Sequence, residues 1–284
     1  MVTEFARAKI NLTLDILGKR ADGFHEVEMI MQTVELADVV ELKKISGGIN
    51  FKIDAKKIIG GEKIPADEKN LAYRAAAEVC KVCGKNLGVE INLHKKIPAA
   101  AGLGGGSADA AAVIRGMNNL FSLNFTADEL CKIGARIGSD VPFCVIGGTC
   151  LAQGRGEKLT RLPNFKNIGV VLMKPHGEIS TAWAYKTFDE LPAPNHPPTS
   201  DVIKFFDAGN FKETFAKFSN VLELVAMKKF PELKTYKNKM IQAGAKAALV
   251  SGSGPTIFAL TDEVEKVAAS VAEYDAEIFL TKIF

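Results

Sequence analysis

The sequence carries almost no net charge: 36 Lys and Arg stand against 33 Asp and Glu, which leaves +3 over 284 residues. That balance excludes the concentrated positive field a nucleic-acid backbone requires, so nucleic acid is not expected as a partner. Long apolar runs are also missing, and no stretch approaches the roughly 18 uncharged apolar residues of a membrane-spanning helix. At the start, MVTEFARAKINLTLDI places acidic Glu4 and a strand-like alternation where a secretion signal needs an apolar block. The chain therefore reads as cytoplasmic, with no membrane partner and no obligatory protein partner. It has no internal repeat and no low-complexity tract.

Cysteine is scarce and odd in number: Cys80, Cys83, Cys131, Cys144 and Cys150. A chain of this length does not need disulfide staples, and an odd count fits a reducing compartment. The Cys80-x-x-Cys83 spacing opens many zinc and redox sites, yet no second pair follows it. NLAYRAAAEVCKVCGKNLG reads as a helix ending near Gly84, which makes the two thiols helical neighbours rather than metal ligands. The string H-E-V-E from His25 to Glu28 lacks a zincin spacing too, so no protein ligand is assigned to a metal.

What remains is an ordinary globular composition, 47% hydrophobic and 24% charged, with ample apolar material for a core. At roughly 150 residues per domain, the length suggests two domains or one large one. The opening segment alternates, with Ala8, Ile10, Leu12, Leu14 and Ile16 on one side and Lys9, Asn11, Thr13 and Asp15 on the other. That predicts a half-buried strand whose polar face is solvated unless a ligand lies along it. Two β-like runs follow up to residue 45, then polar Gly-rich stretches at 46–48 and around Gly60 and Gly61. Helical spacing covers 70–82 and alternation returns over 89–94. An Ala-rich helix is predicted over 107–120, and another begins at Thr126, whose partner Glu129 completes a capping-box pattern.

Past Arg155 the texture changes. A strand is predicted over 168–173, then a helix opened by Ser180, a Pro-rich loop over 191–201, and a helical region over 201–243. AALVSGSGPTIFAL reads as strand, turn, strand, with a helix over 262–274 and a strand over 277–283 after it. The mixed order of elements predicts an α+β fold rather than a doubly wound sheet. A boundary is expected between residues 153 and 165.

The most informative stretch is Pro98, Ala99, Ala100, Ala101, Gly102, Leu103, Gly104, Gly105, Gly106, Ser107 and Ala108, which joins a predicted strand to the Ala-rich helix. Its clustered glycines permit positive φ and keep side chains away from the backbone N–H groups. At a helix start those N–H groups and the dipole favour an anion, so a di- or triphosphate is the natural occupant. Ser107 adds a hydroxyl there. No G-x-x-x-x-G-K-[ST] is present, and G-x-G-x-x-G from Gly102 ends on Ser107, which disfavours a Walker ATPase and a Rossmann dehydrogenase. Asp109 would repel a bare phosphate; it either meets a bound cation or favours the helix N-terminus. Asp140, just before Val141 and Pro142, has the sequence of a helix N-cap as well as that of a candidate acid.

Lys9-Ile10-Asn11-Leu12, the loop from Pro98 to Ala108, Gly138-Ser139-Asp140-Val141-Pro142-Phe143 and Ser251-Gly252-Ser253-Gly254-Pro255-Thr256 resemble the motifs of the GHMP small-molecule kinases. They stand in the same order and span nearly the whole chain. Arg20-Ala21-Asp22-Gly23-Phe24-His25 resembles the string that accompanies, within that family, a cytidine-diphosphate-linked methylerythritol acceptor rather than mevalonate or homoserine. The resemblance implies a two-domain fold, with an ATP-binding domain over 1–155, a substrate-binding domain over 156–284 and a cleft between them. It also implies transfer of the ATP γ-phosphoryl group to the 2-hydroxyl of that acceptor, in non-mevalonate isoprenoid synthesis, with Mg2+ expected beside ATP. Another family member acting on mevalonate or homoserine, and a nucleotide-binding module that has lost transfer, remain as alternatives.

Carried over residue by residue, the resemblance makes Lys9 and Asp140 catalytic. A lysine beside the aspartate favours the carboxylate form, so early abstraction of an alcohol proton is not expected. A loose phosphoryl-transfer transition state does not need it. The loop from Pro98 to Ala108 is expected to wrap the phosphates, with Asn70 and Lys96 near the nucleoside. Phe24 and Tyr185 match positions that sandwich cytosine, where two aromatic faces suit a flat base. His25 matches the residue that reads the cytosine edge, while Asn11 and Thr181 match positions on the acceptor side. Ser251 to Thr256 reads as a tight turn and, by resemblance, lies near the active cleft.

Overall fold

The computed structural model describes residues 1–56, 58, 64–85, 87–163, 168–192 and 195–284. The Gly-rich stretch at Gly60 and Gly61, part of the Pro-rich loop and the end of the expected boundary region lie outside them. Two compact units emerge, interleaved along the chain. One comprises Met1–Lys9, Leu36–Ala99 and Gly104–Gly147; the other comprises Ile10–Glu35, Ala100–Leu103 and Gly148–Phe284. Two long strands, β1 (Val2–Lys19) and β2 (His25–Lys44), divide their residues between the units.

In the first unit the strand order is β3-β4-β2-β1. β3 (Ile49–Asp54) runs parallel to β4 (Val89–His94), and β4 runs antiparallel to β2. Its helices are α1 (Leu71–Cys83), α2 (Gly105–Phe121), α3 (Ala127–Ala135) and α4 (Val141–Ile146). Period-two alternation sends Val89, Ile91 and Leu93 of β4 and Val40 and Leu42 of β2 into one core with the alanine faces of α1 and α2. Small residues allow close approach: a Cβ at Gly116 of α2 would stand 2.4 Å from Leu42 Cδ1. Asn70 caps α1 by accepting the Ala72 N–H, and α3 opens on the predicted Thr126–Glu129 capping box. These side chains satisfy N–H groups that a helix start leaves without intrahelical partners.

In the second unit β5 (Thr149–Gly154) pairs antiparallel with β2 and with β6 (Lys158–Arg161), while the short β8 (Ser219–Asn220) lies parallel to β1. A separate antiparallel sheet has the order β11-β7-β10-β9, from β7 (Gly169–Pro175), β9 (Ala247–Val250), β10 (Ile257–Thr261) and β11 (Ala276–Lys282). The helices are α5 (Thr181–Phe188), α6 (Thr199–Asp207), α7 (Phe211–Thr214), α8 (Glu223–Lys229), α9 (Leu233–Gln242) and α10 (Val264–Ala269). The fold is α+β, as the order of elements predicts.

Several local expectations are corrected. The polar face of β1 is covered: Asn11 and Thr13 have no exposure and Asp15 only 3%. Thr13 Oγ1 accepts the Ile30 N–H at 3.0 Å, and the Asp15 carboxylate meets His196 Nδ1 at 2.9 Å. The helical region expected over 201–243 is broken into α6, α7, a 3-10 turn, β8, α8 and α9. Gly209, at φ +67, follows α6, and Pro231 restricts the residue that ends α8. The helix expected over 262–274 shortens to α10, beyond which the Ser270 hydroxyl turns back to the Val267 carbonyl at 2.7 Å. The helix expected from residue 107 starts two residues earlier, at Gly105.

Candidate active site

Lys9, on β1, is 4% exposed, and its Nζ lies 3.6 Å from Asp140 Oδ2. Asp140 stands at the N-cap position of α4, with Pro142 in the first turn, yet its side chain makes no capping bond. Its φ of −83° and ψ of −11° are helical, whereas a capping aspartate is extended so that its oxygen can fold back onto the first turn. The capping alternative for Asp140 is therefore not realised, and the carboxylate is left to Lys9.

The residues of the loop from Pro98 to Ala108 divide between the units. Pro98, Ala99 and residues 104–108 belong to the first, and Ala100, Ala101, Gly102 and Leu103 to the second. Gly104, at φ +70, is the N-cap of α2 and offers no side-chain bond, so the N–H groups of the first turn carry no side-chain cap. A Cβ at Gly104 would stand 3.0 Å from Lys9 Cγ, and one at Gly106 3.3 Å from Leu71 Cδ1. The Lys9 stem thus runs directly past the helix start. Ser107 Oγ is 4.0 Å from the place a Gly138 Cβ would take, which sets the loop against the segment carrying Asp140. A lysine, a carboxylate and bare helix N–H groups are brought together within one unit. The N–H groups can hold an anion, and the ammonium can neutralise charge that develops on it.

Asp109 faces a buried lysine. Lys95, 6% exposed, donates to Asp109 Oδ2 at 2.6 Å and to Asp38 Oδ2 at 2.5 Å. Asp38 Oδ1 in turn accepts the backbone N–H groups of Lys96 at 2.5 Å and Ile97 at 2.8 Å, which fixes the chain entering the loop. Burial holds the Asp109 carboxyl well above the usual carboxylate range; the attraction of Lys95 is offset by the second negative charge of Asp38. Asp109 Oδ1 is buried without a hydrogen-bond partner. Lys96 is exposed. Asn70 has both ends of its amide engaged, accepting from Ala72 N–H at 2.9 Å and donating to the Pro65 carbonyl at 2.8 Å.

In the second unit the Ser251 hydroxyl donates to the Gly102 carbonyl at 3.0 Å. A Cβ at Gly102, where φ is +75, would overlap the Ser251 carbonyl oxygen at 2.1 Å, so this approach requires glycine. Asn220 holds the turn from the other side by donating to the carbonyls of Val250 and Gly252, both at 2.8 Å. The residues expected to hold the acceptor lie in this unit too. Asn11 is fully buried and donates to Met29 Sδ at 3.2 Å. Phe24 is half exposed, with the Arg155 guanidinium 4.8 Å from its ring centroid. His25 packs its ring 4.9 Å from Tyr185 and meets Asp189 through Nε2 at 2.7 Å. Thr181 Oγ1 lies 3.5 Å from Ser253 Oγ, which ties the start of α5 to the Ser251–Thr256 turn.

Sequence reasoning missed Asp38, Lys95, Arg155, Asp189 and Asn220. For Asp38 and Lys95 a signal was present. The buried alternation Val89, Ile91, Leu93 continues onto Lys95, and Val40 and Leu42 count back onto Asp38. The register Val39↔His94 sets these two charges opposite each other one step further on. Arg155, Asp189 and Asn220 act across long sequence separations that no local pattern reports. Among the described residues no group of three or more His, Cys, Asp or Glu is placed to hold a metal ion, all five cysteines are free thiols, and no helix is long and apolar enough to cross a membrane.

The family model for the GHMP kinases N terminal domain matches residues 70–148, and that for the GHMP kinases C terminal matches 203–276. The chain is 43% identical, over its whole length and 98% of the relative, to a Pelotomaculum thermopropionicum protein named 4-diphosphocytidyl-2-C-methyl-D-erythritol kinase. A Bacillus pumilus protein of the same name is 46% identical over 94% of this chain and 90% of its own. A crystal structure of 4-(cytidine 5'-diphospho)-2C-methyl-D-erythritol kinase matches with a TM-score of 0.81, at 28% identity and 99% coverage of each chain.

Proposed function

Because the chain belongs to the GHMP kinases, we propose that it transfers the γ-phosphoryl group of ATP to the 2-hydroxyl of 4-diphosphocytidyl-2-C-methyl-D-erythritol, giving the 2-phosphate and ADP. The step belongs to non-mevalonate isoprenoid precursor synthesis. The observation that carries the chemistry is the Lys9–Asp140 pair beside the uncapped start of α2. In this reading the N–H groups of Gly105, Gly106 and Ser107 receive phosphate oxygens, and the rest of the loop from Pro98 follows the phosphates. Lys9 neutralises charge on the phosphoryl group in flight and holds Asp140. Asp140 orients the acceptor hydroxyl and takes its proton late, because a loose transition state is accelerated by positioning and charge neutralisation rather than by early deprotonation.

Mg2+ accompanies ATP and lowers the charge on its phosphates; Asp109 is already committed to Lys95, and no protein ligand is assigned. Asn70 and Lys96 stand on the nucleoside side. Phe24 and Tyr185 flank the cytosine, His25 meets its edge, and Asn11 and Thr181 serve the methylerythritol side. Residues 1–155 supply the ATP-binding part and 156–284 the substrate-binding part, with Asn11, Phe24 and His25 contributed to the latter from the first stretch. Five free thiols and the absence of a membrane-spanning helix among the described residues support a cytoplasmic setting. The test mixes purified protein with Mg-ATP and each candidate acceptor and follows ADP release with product mass. Release only with the cytidine-linked acceptor, and a product heavier by one phosphoryl group, is expected. Release with mevalonate or homoserine instead would overturn the acceptor assignment.

A further inference from the structure

His25 is held from two sides, and its side chain is only 9% exposed. Its Nε2 lies 2.7 Å from Asp189 Oδ1, and the ring packs at 4.9 Å against Tyr185. Asp189 is the residue that ends α5, and its other oxygen, Oδ2, accepts from Lys19 Nζ at 3.0 Å. Each carboxylate oxygen therefore has one donor, and the bonds from His25 and then Lys19 hold the Asp189 carboxyl below the usual carboxylate range. An ionised carboxylate only accepts, so the ring proton facing it sits on Nε2. In the neutral imidazole the other nitrogen, Nδ1, is then a lone-pair acceptor.

We propose that Asp189 is a positioning residue for acceptor specificity: by fixing the Nε2–H form of His25 it presents Nδ1 to the exocyclic amino group of cytosine and turns away uracil. The inference rests on the reading of His25 as the residue that meets the pyrimidine edge. Cytosine offers a donor at the position where uracil carries a carbonyl oxygen, and two facing acceptors leave both without a bond. A site built around a hydrogen bond rejects the partner that cannot make it far more strongly than shape alone does. The same carboxylate also ties the end of α5, which carries Thr181 and Tyr185, to Lys19 at the end of β1 and His25 at the start of β2.

The intact protein, labelled with 15N-histidine, is examined at pH 8 by long-range proton–nitrogen correlation, which reports which ring nitrogen carries the proton. The Nε2–H form of His25 is expected in the wild type. A mixture of forms is expected in Asp189→Asn, because an amide both donates and accepts. In parallel, kcat/KM is measured with the cytidine-diphosphate-linked acceptor and its uridine counterpart. The wild type is expected to prefer cytidine by about 10²-fold or more, and Asp189→Asn to lose about tenfold of that ratio, with Asp189→Glu restoring most of it. An Nδ1–H form in the wild type, or an unchanged ratio in a folded Asp189→Asn, overturns the proposal. If the wild type phosphorylates neither acceptor, the reading of the reaction fails by itself. Binding of cytidine 5'-diphosphate against uridine 5'-diphosphate, followed by the fluorescence of Trp183, the single tryptophan, then decides this inference. Equal affinities overturn it, and a cytidine preference that Asp189→Asn loses upholds it.

Discussion

Lys9 and Asp140 form an ion pair at 3.6 Å between a lysine that is almost wholly buried and an aspartate whose own helix makes no use of its side chain. Had Asp140 capped α4, its removal would weaken the fold and the reaction together. Because it does not, the two effects separate. Asp140→Asn is expected to lower kcat by roughly 10²- to 10⁴-fold, the range for a positioned acid or base, while ATP affinity and melting temperature stay near wild type. ADP release, nucleotide titration and a thermal melt check this. Near-normal turnover would remove Asp140 from its role.

Gly104 and Gly106 offer a comparison within one loop. Gly104 has φ +70 and its Cβ would press on Lys9 at 3.0 Å, whereas a Cβ at Gly106 would meet only the tip of Leu71 at 3.3 Å. Gly104→Ala is expected to cost about 1–2 kcal/mol of stability from the left-handed backbone alone, and to raise the KM for ATP while lowering kcat by displacing Lys9. Gly106→Ala is expected to raise KM with a smaller loss of stability. Equal effects of the two substitutions on kcat would show that Lys9 is not positioned against Gly104.

The two carboxylates on Lys95 are expected to behave differently. Asp38→Ala leaves Lys95 and two backbone N–H groups short of an acceptor, so a loss of roughly 3–5 kcal/mol is expected. Asp109 is held above its ordinary value, so the folded chain binds its proton more tightly than the unfolded chain does. Its contribution is greatest below about pH 3.9 and falls as pH rises through the raised value. Asp109→Asn removes that fall. Relative to wild type its melting temperature is expected to improve from pH 4 towards pH 8, and a parallel pair of curves would contradict the assignment.

Cys144 lies four residues beyond Asp140, but burial first, and the Asp140 charge after it, push its thiol up to about 12. Alkylation needs the thiolate. At pH 8 iodoacetamide is expected to modify Cys144 about 10³-fold more slowly than a free thiol of ordinary acidity, as followed by peptide mass. Rapid modification of the folded protein would show that the thiol is more open than its packing indicates.

Most of the framework was legible from local chemistry. Thr126 with Glu129, and Ser180, each announce a helix start through a side chain that completes the first turn, and each does so here. The glycine-rich junction ahead of α2 was legible because clustered glycines mark a turn from which a helix can start. The covered polar face of β1 was not, since alternation tells which side chains share a face and says nothing of what lies over it. Likewise the break of 201–243 into short helices depends on Gly209, Pro231 and the pairing of Ser219 and Asn220 with β1, a contact made over some two hundred residues. The Lys9–Asp140 pair needed the family resemblance, because a lysine on a strand and an aspartate before Val-Pro have ordinary structural explanations of their own.

Because β1 and β2 each belong partly to one unit and partly to the other, no single cut in the chain separates them. A fragment beginning at residue 156 would lack the strand segments 10–19 and 25–35 that its own unit contains, together with His25 and the partner of Asp189 that it supplies. Split-gene complementation or expression of isolated halves should therefore yield fragments that fold only when both are present. A polypeptide meant to carry the second unit alone would have to join residues 10–35 and 100–103 to the stretch from Gly148 onward.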